Sequence, residues 1–472
     1  NSAILAVPVD TSTKQGGVRV NYSALHWQGG IGYTFSIFDN AHDRVVWDNA
    51  YSSPATGGQA ALEPGNKMQQ IFLDGVYRFS EDTRATAAVA FGQMTQNDDF
   101  LPYTVNGALS PSPLPRSSLD GKVNTYNATL RLNSRWDDVW RYSVQYRHNE
   151  QDNNTPRSTY NYVFADFVVS GTPRDNLPYS FRERELSLQG RYQIDKKSHI
   201  SLEYERDTDD RTHQEVEKSN EDILSAMYRN NVNDNLLLSL RLKTSNRKGD
   251  EYEPVTEIIP PEDILLRKYN LADRERKLAA VSLSYTVSDA LQLSGFVDYS
   301  YDDYSDSDLG LQDSRQSTVS LEMQYRMNKA LNMNLDYNIT NIDSSQAGIS
   351  WDADNEDSID VAHFGINYSL PKYKMLVGAD ITYANAVGDI SVSTGIGFPS
   401  LESTRKTYTL FADYTLDVRS VIHAYFGYED YEEKDWSTDG VVPNTLSSVL
   451  TLGETSPSYS IGMFAISYET RF

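Results

Sequence analysis

The chain of 472 residues contains no cysteine. Without thiols it can form no disulfide and no cysteine-ligated zinc or iron–sulfur centre, and it cannot attach c-type haem covalently. Basic residues are also scarce, since 42 Lys and Arg stand against 66 Asp and Glu and give a net charge of −24. This balance argues against nucleic acid as a partner, because phosphate binding needs a concentrated cationic surface. No run of about 18 apolar residues occurs, which excludes a transmembrane helix.

Motifs of the common enzyme classes are missing as well. The sequence has no HExxH, no GxSxG and no phosphate-binding P-loop, and no two of its seven histidines have a metal-ligand spacing. We therefore predict no catalytic residues, no enzyme activity and no cofactor of its own. One acidic cluster could hold Ca²⁺, because hard cations take several carboxylates, although such a run is more often a solvated loop. Its members are Asp302, Asp303, Asp306 and Asp308.

The sequence is rich in strict alternation of apolar and polar residues, a period of two that predicts β-strands. The segment Leu331–Thr340 reads LNMNLDYNIT and places Leu, Met, Tyr and Ile on one face and Asn, Asp and Thr on the other. The same alternation occurs in Val319–Met327 and Trp140–Arg147. No predicted helix could cover these apolar faces, so we interpret them as facing lipid.

Two kinds of connection alternate between the strands, namely short polar turns and long loops that are acidic or rich in Pro, Gly and Ser. The long loops are predicted at 39–66, 96–121, 150–181, 247–273, 303–313, 343–355, 386–400 and 431–454. A sheet that spans a bilayer must pair every backbone group, so it closes, and its turns alternate between two compartments. The pattern predicts an all-β fold, a large antiparallel transmembrane β-barrel in the outer membrane of a Gram-negative bacterium, with short periplasmic turns and long extracellular loops.

Aromatic residues support this interpretation. Many of the 32 tyrosines fall near strand ends, where membrane barrels carry aromatic girdles. The chain ends in SIGMFAISYETRF, with Phe464, Ile466, Tyr468 and Phe472 on one face. This ending resembles the terminal strand that the outer-membrane assembly machinery recognises.

We expect residues 1–472 to form a single barrel domain of about nineteen strands. Residues 1–17 are predicted as an outer segment leading into a first strand near Val18–Trp27 with its turn at Gln28–Gly30, and residues 455–472 as the last strand. An odd number would place the chain ends in different compartments, whereas single-chain bacterial barrels normally have an even number. The chain also begins at Asn1, without Met and without a leader. We expect that N-terminal strands are absent from this sequence and that the complete barrel has more than twenty.

The predicted inner face carries charges of both signs, and no segment of the chain is suited to plug the bore. A water-filled pore would use these charges for selectivity, and a protein-filled pore would use them as contacts to its guest; the residues alone leave both open. The predicted partner-facing residues are Arg131, Arg141, Arg147, Arg191, Glu203, Arg241, Glu322, Arg326, Asp336, Asp380, Asp413 and Glu429.

Several segments resemble the MtrB/PioB family of decahaem-associated outer-membrane proteins. They are AVPVDTSTKQ (Ala6–Gln15), VVWDNAY (Val45–Tyr51), LPRSSLDGKVNTYNATLRL (Leu114–Leu132) and VPNTLSSVLTLGETSPSYSIGMFAISYETRF (Val442–Phe472). No single segment is a signature, but their order is preserved along the whole chain. Family members typically carry a further N-terminal portion, often with a Cys pair, and this chain has neither.

The resemblance implies a barrel that sheaths a periplasmic decahaem c-type cytochrome and displays a second, extracellular multihaem cytochrome at its outer mouth. Haem c would be carried by these partners, because this chain has no cysteine. Two alternatives remain. An outer-membrane porin or substrate-specific channel would conduct ions without haem, and an outer-membrane protease or lipase would need a nucleophile–base pair that the sequence does not provide.

Overall fold

The computed structural model describes residues 6–48, 56–109, 113–161, 163–164, 168–169, 172–255, 261–304, 306–395, 397–437, 439–441 and 458–471. Within these residues the chain forms strands joined by turns and loops, with one short 3-10 turn, Pro371–Tyr373. The strands are β1 (Thr11–Ser23), β2 (Trp27–Asn40), β3 (Arg44–Asp48), β4 (Gly57–Ala61), β5 (Asn66–Arg78), β6 (Thr83–Gln96), β7 (Gly121–Arg135), β8 (Trp140–Asn153), β9 (Thr159–Tyr160), β10 (Val163–Phe164), β11 (Val168–Val169), β12 (Arg174–Asp175), β13 (Phe181–Gln193), β14 (Ser198–Arg211), β15 (Lys218–Asn233), β16 (Leu236–Gly249), β17 (Arg274–Ser288), β18 (Leu291–Asp303), β19 (Gly310–Arg326), β20 (Leu331–Ala347), β21 (Asp352–Leu370), β22 (Met375–Val392), β23 (Leu401–Thr415), β24 (Ser420–Lys434) and β25 (Tyr459–Thr470).

The long strands form one antiparallel sheet of 19 strands, as the alternation predicts. Each strand pairs with the next long strand along the chain, from β1 with β2 to β24 with β25. The short strands pair only within the long connections, as β3 with β4, β9 with β12, and β10 with β11. The sheet is thus a continuous meander whose successive turns lie at opposite ends.

Cross-strand register keeps the apolar residues on one face. Leu321 lies opposite Tyr337, and Phe426 lies opposite Phe464. These side chains are exposed in the protein alone, with 57% of Leu321 and 68% of Phe464 accessible. An apolar face of this extent needs hydrocarbon against it. Within the described residues, no helix is long and apolar enough to cross a membrane.

The wall of the barrel is a single layer without a hydrophobic core. In the described part of the chain, the buried apolar residues are Val216, Ile223, Leu271, Ala272, Tyr304 and Ala353. Most of these lie in the long connections and not in the wall. The inner face of the sheet is therefore not packed against side chains of the chain's own described residues.

Strands β1 and β25 are the two edges of the sheet. In the described residues, β1 pairs with β2 and β25 pairs with β24, and β1 and β25 do not pair with each other. Thr11 lies at the end that carries the long loops and Thr470 at the end that carries the short turns, as the odd strand number requires. Further strands beyond this sequence stay a prediction.

Several predicted boundaries are wrong. The first strand is Thr11–Ser23 and its turn is 24–26, not Gln28–Gly30. The connections predicted at 303–313, 343–355 and 386–400 are only 304–309, 348–351 and 393–400, because the strands continue past the apolar band. Residues 343–347 and 352–355 are mostly polar on both faces, and in 386–392 Ile390 and Val392 lie on the face opposite to that of Ile381, so the alternation of the apolar band breaks off there. Residues 442–457 and the C-terminal Phe472 lie outside the described residues.

Candidate functional site

Cross-strand register places all twelve predicted partner-facing residues on one face of the sheet, opposite the apolar face. The assignment passes from strand to strand through directly opposed residues, for example Arg141 opposite Arg191, Glu322 opposite Asp336, and Asp413 opposite His423. Contact of these residues with a partner stays a prediction. We call this surface the inner wall, because the other face is the one that needs lipid.

Toward the long-loop end, charged residues on β8, β13 and β14 have hydrogen-bonding partners within the wall. Arg147 donates a hydrogen bond from Nη1 to Glu185 Oε2 at 2.7 Å, and Gln145 reaches the same carboxylate at 3.3 Å. Ser187 donates to Glu203 Oε1 at 2.7 Å. Two predicted partner-facing residues, Arg147 and Glu203, thus form hydrogen bonds within the wall itself. These bonds occupy part of the hydrogen-bonding capacity that each residue could offer to a partner.

Toward the short-turn end, the same strands carry arginines without carboxylates. Arg141 lies directly opposite Arg191 and also directly opposite Arg135. Arg191 Nη2 lies 3.1 Å from His199 Nδ1, so the arginine donates to a ring nitrogen that carries no proton. Arg229 lies opposite His199 on the next strand. This part of the wall is strongly cationic.

The inner wall of β20–β25 is acidic and contains two histidines between carboxylates. His363 Nδ1 lies 3.0 Å from Asp336 Oδ2, and its Nε2 lies 3.4 Å from Asp380 Oδ1. His423 Nδ1 lies 2.8 Å from Asp413 Oδ1, and its Nε2 lies 3.7 Å from Glu469 Oε2. The three aspartates are among the predicted partner-facing residues and the two histidines are not, because the contacts between them join different strands.

The four aspartates proposed as a Ca²⁺ ligand set are not assembled into one. Asp302 belongs to β18, and both of its carboxylate oxygens accept hydrogen bonds of 2.5 Å from Arg276. Asp306 forms an ion pair of 3.1 Å with Lys248. Among the described residues, no group of three or more His, Asp or Glu is arranged to hold a metal ion.

Three extracellular connections pack together over β14–β19 in an arrangement that the sequence analysis did not include. We call it the outer-loop cluster; it comprises residues 212–217, the described residues of 250–273, and the described residues of 304–309. Val216, Leu271 and Tyr304 are at most 4% exposed. Backbone hydrogen bonds join Glu253 N to Glu215 O at 2.7 Å and Leu309 N to Leu265 O at 3.2 Å. The long-loop end of the barrel is therefore partly structured.

A lysine joins the connections of this cluster. Lys268 Nζ binds the carboxylates of Glu215 and Glu262, the latter at 3.0 Å, and both glutamate side chains are nearly inaccessible. Burial alone would lower the pKa of Lys268, but the hydrogen bonds that its ammonium donates to these two carboxylates outweigh this effect and raise the pKa to about 12. The ammonium is thus held charged between segments that are 53 residues apart.

The family of the chain follows from a comparison with known proteins. A family model described as "Putative outer membrane beta-barrel porin, MtrB/PioB" matches residues 1–472. The chain belongs to the MtrB/PioB family. It is an outer-membrane β-barrel protein, and the family description names a porin and not an enzyme.

Named relatives agree with this assignment. The chain is 27% identical to the outer membrane protein MtrB of Shewanella baltica (strain OS185) over 478 residues, which cover 99% of this chain and 68% of that protein. Among solved structures, the siderophore receptor PiuA of Acinetobacter baumannii matches with a TM-score of 0.54 at 12% identity, over 88% of this chain and 70% of the receptor. The ferric enterobactin receptor PfeA in complex with BCV-L6 matches with a TM-score of 0.53 at 8% identity, over 98% and 79%. These two receptors show the outer-membrane barrel fold alone.

Proposed function

We propose that this protein is a non-catalytic sheath that encloses a multihaem c-type cytochrome and insulates it from the lipid of the outer membrane. The observation that carries the proposal is the wide inner wall, which is lined by polar and charged side chains and has no packed core in the described residues. Such a wall suits a hydrophilic guest. The complex would form an electron conduit across the membrane for extracellular electron transfer.

The dimensions of the sheet are compatible with a folded guest. With strands about 4.8 Å apart and tilted by about 40°, each strand occupies roughly 6 Å of the circumference. The 19 strands alone would then enclose a cylinder with a diameter of roughly 38 Å. Barrels of this size enclose an aqueous channel or a plugged lumen. Subtracting about 10 Å for inward side chains leaves a bore roughly as wide as a small folded domain.

The chemistry of electron transfer favours a guest that carries its own redox groups. The hydrocarbon core is about 30 Å thick, which is too far for a single tunnelling step. Closely spaced haems would be needed to cross it, and this chain has no cysteine to which haem c could be attached. In the proposal, a periplasmic decahaem cytochrome enters the short-turn end, and an extracellular multihaem cytochrome docks on the long-loop end.

An open channel is the second candidate, since the family description itself names a porin. The two functions differ in what accompanies the barrel when it is extracted from outer membranes in a mild detergent. The sheath predicts a coloured complex with a Soret band, a haem-staining partner in fixed ratio to the barrel, and low conductance in planar bilayers. A colourless single component with a large conductance would refute the sheath and support the channel.

A further inference from the structure

Three pairs of arginines lie directly opposite one another on neighbouring strands at the short-turn end of the inner wall. They are Arg78 with Arg84, Arg135 with Arg141, and Arg141 with Arg191. Together with Arg229, which lies opposite His199, these residues form a surface across β5–β8 and β13–β15 that we call the cationic belt. Its members are Arg78, Arg84, Arg135, Arg141, Arg191 and Arg229.

The belt is poorly compensated within the chain. Arg135 forms an ion pair with Asp82 in the turn between β5 and β6. In the described residues, no carboxylate forms an ion pair with any of the other five arginines of the belt. Glu81, next to Asp82, lines the same recess of about 840 Å³ as Arg78, Arg84, Arg141 and Arg191. The adjacent turn between β13 and β14 adds Lys196 and Lys197 together with Asp195, and the turn between β7 and β8 carries Asp137 and Asp138. The carboxylates of Asp137 and Asp195 accept hydrogen bonds from backbone N–H groups of their own turns.

This concentration of positive charge is unfavourable to the barrel on its own. Like charges directly opposite each other on neighbouring strands are destabilising. The chain carries a net charge of −24, so carboxylates are abundant, yet they occupy a different part of the wall. Asp336, Asp380, Asp413 and Glu469 lie on β20–β25, separated from the belt by β16–β19. On the strands of the inner wall, the arginines and the carboxylates near the short turns thus lie in two sectors, whereas the turns themselves carry both signs.

We infer that the cationic belt is a docking surface for an acidic face of the protein that occupies the barrel. This inference rests on the proposed function for the existence of such an occupant, and it adds which face of the occupant meets which strands. Guanidinium groups bind carboxylates bidentately, and several adjacent ones can bind a surface rich in Asp and Glu. The acidic sector on β20–β25 repels the same surface, so the occupant is held in one rotational orientation about the barrel axis.

The first experiment reverses charge in the belt of the full complex. Arg141→Glu/Arg191→Glu is compared with Lys329→Glu/Arg419→Glu, which makes the same charge change in two short turns at the same end but outside the belt. The complexes are extracted in mild detergent at about 0.15 M salt, where charges within about 8 Å still interact. The ratio of occupant to barrel should fall at least tenfold in the belt variant and stay within twofold of wild type in the control.

A folding defect must be separated from loss of docking. The folded state of each variant is checked by its shifted mobility on unheated gels, and Arg141→Gln/Arg191→Gln removes the charges without reversing them. We expect this neutral variant to retain an intermediate amount of occupant. If the belt variant folds and keeps its occupant at the wild-type ratio, the inference is wrong.

The second experiment identifies the face that is bound. Arg141→Lys keeps the positive charge and introduces an amine, which a water-soluble carbodiimide couples to a carboxylate in contact with it. Mass spectrometry should find this amine joined to an Asp- or Glu-rich peptide of the occupant, whereas Arg419→Lys should give no such product. Equal yields from the two positions would overturn the inference.

The results also distinguish this inference from the sheath proposal. If the wild-type barrel carries a protein without haem, and that protein is cross-linked through its carboxylates to the Arg141→Lys variant, the docking surface stands and the cytochrome sheath is refuted. If a haem protein is retained equally by all variants, the sheath stands and the docking surface is refuted. If no protein accompanies the wild-type barrel, both are refuted.

Discussion

The assignment of faces can be tested at two adjacent residues of β22. Ile381 lies on the apolar face opposite Phe364 and Tyr408, and 45% of it is exposed in the protein alone. The next residue, Thr382, lies on the inner wall opposite His363. Replacing each in turn by Arg places the same charge at nearly the same height, once toward lipid and once toward the bore.

The position in the strand sets the magnitude. Ile381 is six residues beyond Met375, where β22 begins at the short-turn end. At about 3.3 Å per residue and a tilt of about 40°, it lies roughly 15 Å from that end. Since the apolar band of such barrels is about 25 Å tall, this is close to its middle, where a lipid-facing Arg costs about 2–4 kcal/mol. The ratio of folded to unfolded protein should therefore fall about 30- to 700-fold for Ile381→Arg.

Thr382→Arg should change the free energy of unfolding by less than about 1 kcal/mol, because the new cation would face the aqueous bore beside Asp380 on the same strand and near Asp336 two strands away. The assay is a denaturant titration of each variant refolded into phospholipid vesicles, with the folded fraction read from unheated gels. If Thr382→Arg were as costly as Ile381→Arg, or more costly, the assignment of lipid and inner faces would be refuted.

Three further predictions concern the loops and the polar ends of the strands. Lys268→Met should loosen the outer-loop cluster by about 2 kcal/mol, because two nearly inaccessible carboxylates lose their cation, and faster cleavage within 250–273 by added protease would report it; Lys268→Arg should be milder. Since the folded pKa of Lys268 lies above its ordinary value, its stabilisation is complete below about pH 10.5 and is lost as the pH rises through about 12. Arg276→Met should cost about 2 kcal/mol in thermal unfolding because it leaves Asp302 unpaired, and Arg276→Met/Asp302→Leu should recover at least half; a double variant as unstable as the single one would contradict this. Hydrogen bonds from the backbone N–H groups of Lys197 and Ser198 lower the pKa of Asp195. The contribution of Asp195 to the stability of the turn is therefore present above the ordinary carboxyl range and is lost as the pH falls through the lowered pKa. Asp195→Ala should speed amide exchange at 197 and 198 at neutral pH, and unchanged exchange would contradict the role of the carboxylate.

The wall of the barrel could be predicted from the sequence because its physics is local. In Val319–Arg326, each residue faces either lipid or water, and the side-chain period of two records that choice directly. Strands β20, β21 and β22 continue past the apolar band through Ser344, Asp354 and Asp389, where both faces meet water. The alternation of the apolar band breaks off there although the ladder of hydrogen bonds continues, so the sequence pattern predicts loops at these strand ends.

The charge pattern of the inner wall could not be predicted because it depends on register. Arg141 and Arg191 are 50 positions apart in the sequence, and only the pairing of β8 with β13 brings them face to face. The connection between these strands, residues 154–180, is long and irregular, so its length does not determine which residues of β8 and β13 lie opposite each other. The same holds for His363, whose two carboxylate partners come from β20 and β22. Alternation predicts which residues lie on the inner face, but it does not predict which of them are neighbours on adjacent strands.

The outer face is predictable and the charge pattern of the inner wall is not, because the membrane constrains the two faces differently. In hydrocarbon, the backbone must pair completely, and the outward side chains must be apolar. These requirements fix the ladder and the outer face and leave the inner wall almost unconstrained. A soluble sheet has no such freedom, because its inner face must pack a core. A membrane barrel can therefore tolerate arginines opposite one another on its inner wall, and under the proposal made above their placement serves the occupant of the bore and not the stability of the barrel.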